Sequence, residues 1–211
     1  MRQGVYARYV KRILDKVLSG TALIVFSPVM AVTACLVRIK LGSPVIFCQE
    51  RPGRNEKIFR MYKFRTMTDA RDKKGRLLPD EKRLTEFGSF LRRTSLDELP
   101  ELWNIFKGDM SIVGPRPLLC SYLPYYTKRE RLRHKVMPGL TGLSQVNGRN
   151  LLAWDDRLEM DAVYAEHITF LGDMKIILKT AAKVFERDGV AVNTAAVEPN
   201  LAEERRKRKG S

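Results

Sequence analysis

Asp97 and Glu98 stand side by side in Ser95-Leu96-Asp97-Glu98-Leu99-Pro100, an acid pair in a chain that carries 39 Lys and Arg against 24 Asp and Glu. Arg92 and Arg93 lie just upstream. Carboxylates among cations suit phosphoryl chemistry. One carboxylate can attack a phosphorus atom or hold Mg²⁺, and a helix N-terminus beside it offers N–H groups to a phosphate. A structural reading fits the same residues. Ser95-x-x-Glu98 matches a capping box, and acids in a first helical turn favour the dipole. Pro100 sits poorly in a helix begun at Ser95. With Asp97 as the cap, Pro100 falls in the first turn, where its missing N–H is harmless.

Further cations could serve the same chemistry. Lys57 to Met67 alternates as a strand, and period two places Phe59, Met61, Lys63 and Arg65 on one face. The two cations there could grip a phosphate or line a solvated strand edge. In Gly114-Pro115-Arg116-Pro117 an arginine is displayed from a backbone stiffened by two prolines, and its planar fork suits bidentate phosphate binding. A rigid loop with a surface arginine has the same pattern. Pro138 to Leu143 and Asn147 to Asn150 are turn-rich, able to wrap a nucleotide or merely to connect.

The elements that must position these residues begin with Val17 to Val37, which contains no charge and is interrupted by Ser27-Pro28. It covers roughly 30 Å as a helix, about one hydrocarbon thickness. A span, a cleaved signal with a lipobox-like Val32-Thr33-Ala34-Cys35, and a re-entrant hairpin all fit. Arg8, Lys11, Arg12 and Lys16 precede the stretch, and Arg38 and Lys40 follow it. Positive charge on both flanks favours same-side entry and exit. Pro28 should kink the helix, and Ser27 can back-bond to the carbonyl that the proline leaves free.

Ser43 to Gln49 reads as a strand paired through the Pro52-Gly53-Arg54-Asn55 turn with the second strand. Thr68 to Glu86 is a charged loop that could act as a lid. Helices are expected over Leu84–Arg93, Leu96–Phe106, Trp154–His167 and Asp173–Arg187. In the last, Lys175, Lys179, Lys183 and Arg187 flank Ile176, Ile177, Ala181, Val184 and Phe185. That pattern fits an interfacial helix or a core-packed one. The expected fold is α+β and mostly helical. It divides into a membrane segment over 1–40, a catalytic domain over 41–190 and a charged, disordered tail over 191–211.

The net charge of +15 attracts polyanions, including anionic membrane lipids, but the chain shows no recognisable nucleic-acid motif. Cys35, Cys48 and Cys120 have neither metal-ligand nor disulfide spacing, which fits a reducing cytoplasm. His134 and His167 are too far apart for a zinc site and are expected at the surface or an interface.

The motifs Phe26-Ser27-Pro28-Val29, Arg51-Pro52-Gly53, Ile58 to Met67, Ser95 to Pro100, Lys107 to Pro117, Arg133 to Gly142 and Gln145 to Arg149 occur in one order. In this the chain closely resembles the monotopic phosphoglycosyl transferases, bacterial sugar transferases, and especially their small PglC-type members. The resemblance covers roughly Tyr9 to Val190. It implies a re-entrant membrane helix broken at Ser27-Pro28 and a catalytic dyad, Asp97 and Glu98. It also implies Lys63, Arg92, Arg116 and Asp161 as functional positions, Asp161 either helping to hold Mg²⁺ or orienting an arginine. The implied reaction moves a phosphosugar from a UDP-sugar to undecaprenyl phosphate with Mg²⁺, through an aspartyl intermediate. Its expected place is the cytoplasmic face of the bacterial inner membrane.

Overall fold

The structure, a computed structural model, describes residues 4–148, 152–185 and 200–209. A π-helical turn, Tyr6–Val10, leads directly into α1, Lys11–Leu41. Together, Tyr6–Leu41 is long and apolar enough to cross a membrane. The helix continues through Ser27-Pro28, with the proline inside it. The local chemistry explains how it survives. Pro28 has no N–H to offer the carbonyl of Ile24, and Ser27 Oγ donates to that carbonyl at 2.8 Å instead.

One face of α1 lies along the rest of the protein for nearly its whole length. Lys11, Asp15, Ser19, Thr33, Val37 and Leu41 are buried at helical spacing. Ala22 and Leu23 pack on Leu102, Ile105 and Met110, while Val37 and Leu41 pack on Phe64 and Leu91. The outward face is apolar and uncovered: Ile13, Val17, Ile24, Val25, Val29, Val32 and Ile39 are all exposed, Ile24 at 77%.

Strands β1, Ile46–Pro52, and β2, Ile58–Phe64, form an antiparallel hairpin with Phe47 opposite Lys63 and Arg51 opposite Phe59. The charged stretch after it is closed on itself. Met67 bridges Leu84, Arg71 bridges Leu77, and the stretch contains α2, Asp80–Arg83. Helix α3, Glu86–Arg93, starts where Thr85 Oγ1 accepts from Gly88 N at 3.0 Å. A short 3₁₀ turn, Leu96–Glu98, separates it from α4, Glu101–Lys107, which ends at Gly108 with φ +89°.

Strands β3, Ser111–Val113, and β4, Gly139–Thr141, pair in parallel. Within the turn-rich Pro138–Leu143 segment, Gly139–Thr141 is thus a short strand. It passes against Gly114, where a Cβ on Gly139 would stand 2.1 Å from Gly114 N, so only glycine permits the contact. Of Asn147 to Asn150, Arg149 and Asn150 lie outside the described residues. Helices α5, Leu143–Asn147, α6, Trp154–Glu166, and α7, Phe170–Phe185, follow.

Helix α7 uses its apolar residues for the core: Ile176 is buried with Val113, Val146 and Tyr164. Leu171 and Leu178 are exposed on another side, and Arg187 lies outside the described residues. The tail departs from expectation. Residues Leu201–Lys209 form α8, and Leu201, with 0% exposure, completes a core of Leu118, Tyr122, Trp154 and Leu158. Arg205 pairs with Glu130 at 2.5 Å and Asp155 at 2.6 Å. One apolar side chain entering a formed core and basic residues meeting acidic ones hold this segment, although its composition is that of a solvated end.

Candidate active site

The acid pair sits on the 3₁₀ turn between α3 and α4. Ser95 takes φ +55°, a left-handed turn that costs a non-glycine residue about 1 kcal/mol and redirects the chain here. Neither capping scheme is realised. Ser95 caps nothing with its side chain, and α4 begins behind Pro100, also without a side-chain cap. The carboxylates of Asp97 and Glu98 are therefore not occupied with helix ends.

Packing of β2 against α4 brings the cations in. Asn104, fully buried on α4, accepts from Tyr62 N at 3.0 Å and donates to Arg60 O at 2.7 Å, which fixes the helix on the strand. Lys63 Nζ then reaches Glu98 Oε1 at 2.7 Å and Glu101 Oε1 at 3.0 Å. Arg116 Nη2, from the loop after β3, meets the same Glu98 oxygen at 2.9 Å. Arg92 closes the third side from the end of α3, its Nε donating to Thr66 Oγ1 at 3.1 Å.

The electrostatics divide the two acids. Burial and then the Glu98 charge push the Asp97 carboxyl up to about 6, against the pull of Lys63, Arg92 and Arg116. Burial opposes ionisation of Glu98 too, but the charges and hydrogen bonds of Lys63 and Arg116 hold it well below the usual carboxylate range. Glu101 is pushed up to about 7, by burial first, with Lys63 pulling down and Glu98 pushing up. Glu98 is thus a permanently ionised anchor for two cations. Asp97 is a carboxylate whose charge is poorly compensated, hence reactive toward an electrophile.

Lys63, Arg92, Arg116, Asp97 and Glu98 are brought together as the sequence suggested. Arg65 is not: it is buried, donating to Ser43 O at 2.6 Å and Met67 O at 2.8 Å and pairing with Asp69 at 2.5 Å. Asp161 is also displaced from the role of direct substrate contact. It is 1% exposed, and its oxygens are taken by Ser144 Oγ at 2.8 Å and Arg133 Nη2 at 2.9 Å. Arg133 in turn donates to the carbonyl of Arg116 at 2.6 Å. Asp161 is thus linked to the Arg116 loop through Arg133, the geometry that the orienting alternative needs. His134, expected at the surface, is buried, and burial followed by the Arg133 charge lowers it to about 3, so it is neutral.

Two features escaped the sequence reading. Glu101, a third acid on the same lysine, lies four residues from Asp97, a spacing that would have flagged it had the helix start been known. The second is a clamp on the N-terminal end of α1. Lys11 Nζ meets Asp173 at 2.6 Å, Tyr6 and Tyr164 hydroxyls donate to Asp173 at 2.8 Å each, and Asp15 accepts from Ser111 Oγ at 2.6 Å and Ile112 N at 3.1 Å. Nothing local in the sequence links residues so far apart.

For a divalent cation, the described residues contain no group of three or more His, Cys, Asp or Glu placed to hold one. Asp97, with a raised carboxyl pKa and a place beside Lys63, Arg92 and Arg116, is the carboxylate that would hold one. That fits Mg²⁺, which is commonly held by one or two carboxylates with substrate phosphates completing its shell.

The pattern of the family described as bacterial sugar transferase matches residues 6–187. The chain belongs to the bacterial sugar transferase family. It is 49% identical over 180 residues to an uncharacterized sugar transferase, EpsL, of Bacillus subtilis, covering 85% of this chain and 89% of that one. It is 39% identical over 200 residues to the undecaprenyl-phosphate galactose phosphotransferase of Salmonella typhimurium, covering 87% of this chain. It is 40% identical over 185 residues to the UDP-glucose:undecaprenyl-phosphate glucose-1-phosphate transferase of Klebsiella pneumoniae, covering 83% of this chain. The chain spans only 42% and 40% of those two longer relatives. The matches agree with the motif resemblance to the phosphoglycosyl transferases.

Proposed function

We propose that this sugar transferase moves a phosphosugar from a UDP-sugar to undecaprenyl phosphate, with Asp97 as the nucleophile. The observation that carries the reading is the division of labour in the dyad. Glu98 is held ionised by Lys63 and Arg116, while burial first, and the Glu98 charge second, raise the Asp97 carboxyl to about 6. Names of relatives supply the substrate classes, a UDP-sugar and undecaprenyl phosphate.

In the first half-reaction an Asp97 carboxylate oxygen bonds to the β-phosphorus of the donor. The bond from that phosphorus to the bridging oxygen breaks, and UMP leaves with the electron pair. Arg116, Arg92 and Lys63 oppose the charge that builds on the phosphoryl oxygens. In the second, an oxygen of the lipid phosphate attacks the same phosphorus and Asp97 is released. Glu98 holds Lys63 and Arg116 in place throughout. When bound, Mg²⁺ would be held by Asp97 and donor phosphates and would offset phosphate charge. UMP departs before the acceptor reacts, so ping-pong kinetics follow.

The membrane arrangement belongs to the same proposal. Helix α1 touches the catalytic elements at both ends and in the middle, and only its outer face is apolar and free. A helix that carried its two ends to opposite sides of a bilayer would leave one end without those contacts. We infer a re-entrant, monotopic placement on the cytoplasmic face, consistent with basic residues on both flanks.

The test is intact mass of the detergent-purified protein after incubation with UDP-sugars and Mg²⁺ but no lipid acceptor. An adduct of phosphosugar mass, absent in Asp97→Asn, is expected. UMP release only when lipid is present, with no adduct, refutes the covalent step.

A further inference from the structure

Arg51, on the last turn of β1 before the hairpin loop, stands against the same loop as Arg116 but has different partners. Its Nη1 donates to the carbonyl of Pro117 at 3.4 Å and its Nη2 to Gln49 Oε1 at 2.6 Å. Its Nε is buried and meets no acceptor among the described residues. Other arginines near this side of the molecule are matched by a carboxylate: Arg116 by Glu98, Arg133 by Asp161, Arg131 by Glu56. Arg51 forms no ion pair among the described residues; its acceptors are one carbonyl and one amide oxygen.

A half-buried guanidinium whose Nε is cut off from water, with no ion-pair partner and an incomplete set of acceptors among the described residues, is costly, and a neighbouring cation adds to the cost. Burial and then the Arg116 charge lower its pKa to about 10, so it stays charged at neutral pH. Two cations converge on one loop, and only one of them has a carboxylate. A shared anion would satisfy the spare donor and relieve the repulsion together.

We propose that Arg51 is a further donor-binding residue, which takes the diphosphate of the nucleotide sugar jointly with Arg116. The inference rests on the UDP-sugar reading above. It makes Arg51, near the end of β1, part of the site, with the buried Pro52-Gly53 behind it fixing the strand end.

The rival role is structural, with Arg51 merely bracing the carbonyl of Pro117. Gln can donate to that carbonyl but has no charge, whereas Lys has the charge without the fork, so the two substitutions separate the roles. UDP affinity of detergent-purified wild type, Arg51→Gln and Arg51→Lys is measured by titration calorimetry. Loss of a charge-assisted contact of about 1.5–3 kcal/mol weakens UDP about 10- to 100-fold in Arg51→Gln. Arg51→Lys should retain much of the affinity. Wild-type affinity in Arg51→Gln, or better binding by Gln than by Lys, overturns the proposal.

A second measurement needs no variant. Phenylglyoxal modification of Arg51 in the wild-type protein, followed by peptide mass, should slow when UDP is present. An unchanged rate overturns the proposal even if both variants misfold. Failure of the wild-type protein to bind UDP at all would instead remove the donor reading itself.

Discussion

Replacing the proposed nucleophile should make the protein more stable while abolishing transfer. The Asp97 carboxyl moves from its ordinary 3.8 to about 6 in the folded chain, chiefly by burial and the Glu98 charge. A raised carboxyl pKa means the folded state binds the proton more tightly than the unfolded one. The associated stability is fully present below pH 3.8 and is lost as pH rises through about 6. At ~1.36 kcal/mol per tenfold in proton affinity, the ionised folded protein is up to about 3 kcal/mol less stable than the protonated one. Asn keeps the shape and cannot ionise. Thermal unfolding in detergent of wild type and Asp97→Asn at pH 4 and pH 7.5 should therefore show a variant advantage that is small at the lower pH and largest at the higher. Adduct formation in the wild type should rise over the same interval. An Asn variant no more stable than wild type at pH 7.5, or an advantage that does not change with pH, would refute the claim that Asp97 carries uncompensated charge.

Lys63→Met should abolish turnover and also destabilise by about 3–5 kcal/mol, because it strands Glu98 and Glu101 without their shared cation; calorimetric unfolding and UMP release read the two effects. Asp161→Asn should strand buried Arg133 and loosen the Arg116 loop. The expected result is a raised KM for UDP-sugar with lowered stability, and an unchanged KM would remove the orienting role. Leu201→Ala should cost about 2–5 kcal/mol, as for other large-to-small core changes, and a stability equal to wild type would show that α8 does not dock. Gly139→Ala should prevent β3 and β4 from pairing, seen as loss of folded protein on size exclusion, since the added Cβ falls on Gly114 N.

The hairpin, helices α3, α4, α6 and α7, and the cations around the acid pair were legible because they depend on local pattern: alternation around Lys63, periodicity after Glu86, prolines framing Arg116; α5 was hidden among turn-forming residues. The misread parts depend on contacts between distant segments. Arg65 has the same strand parity as Lys63, but the distant carbonyl of Ser43, together with Met67 O and Asp69, diverts it from the site. Asp161 was read as a help to Mg²⁺ or a partner of an arginine, and which arginine, the buried Arg133, only the fold could show. The tail looked solvated because its single core residue, Leu201, is outvoted by its charges. The Ser27 hydroxyl was read correctly as a patch for the proline gap, and the continuity it lends α1 was not.

The clamp on α1 joins opposite ends of the chain, since Tyr6 and Lys11 both meet Asp173. Synthesis delivers the N-terminus first, so the helix exists well before its anchor does. During that interval Lys11 has only Asp15, one turn along, as a counter-charge, and Asp15 has none of the donors later supplied by Ser111 and Ile112. Charged groups resist the hydrocarbon layer, so these two hold their end of the helix at the water boundary while the apolar stretch beyond them enters. When the segment bearing Asp173 arrives, Lys11 and Asp15 are folded into the protein, and the exposed Arg8, Arg12 and Lys16 are left to mark that boundary.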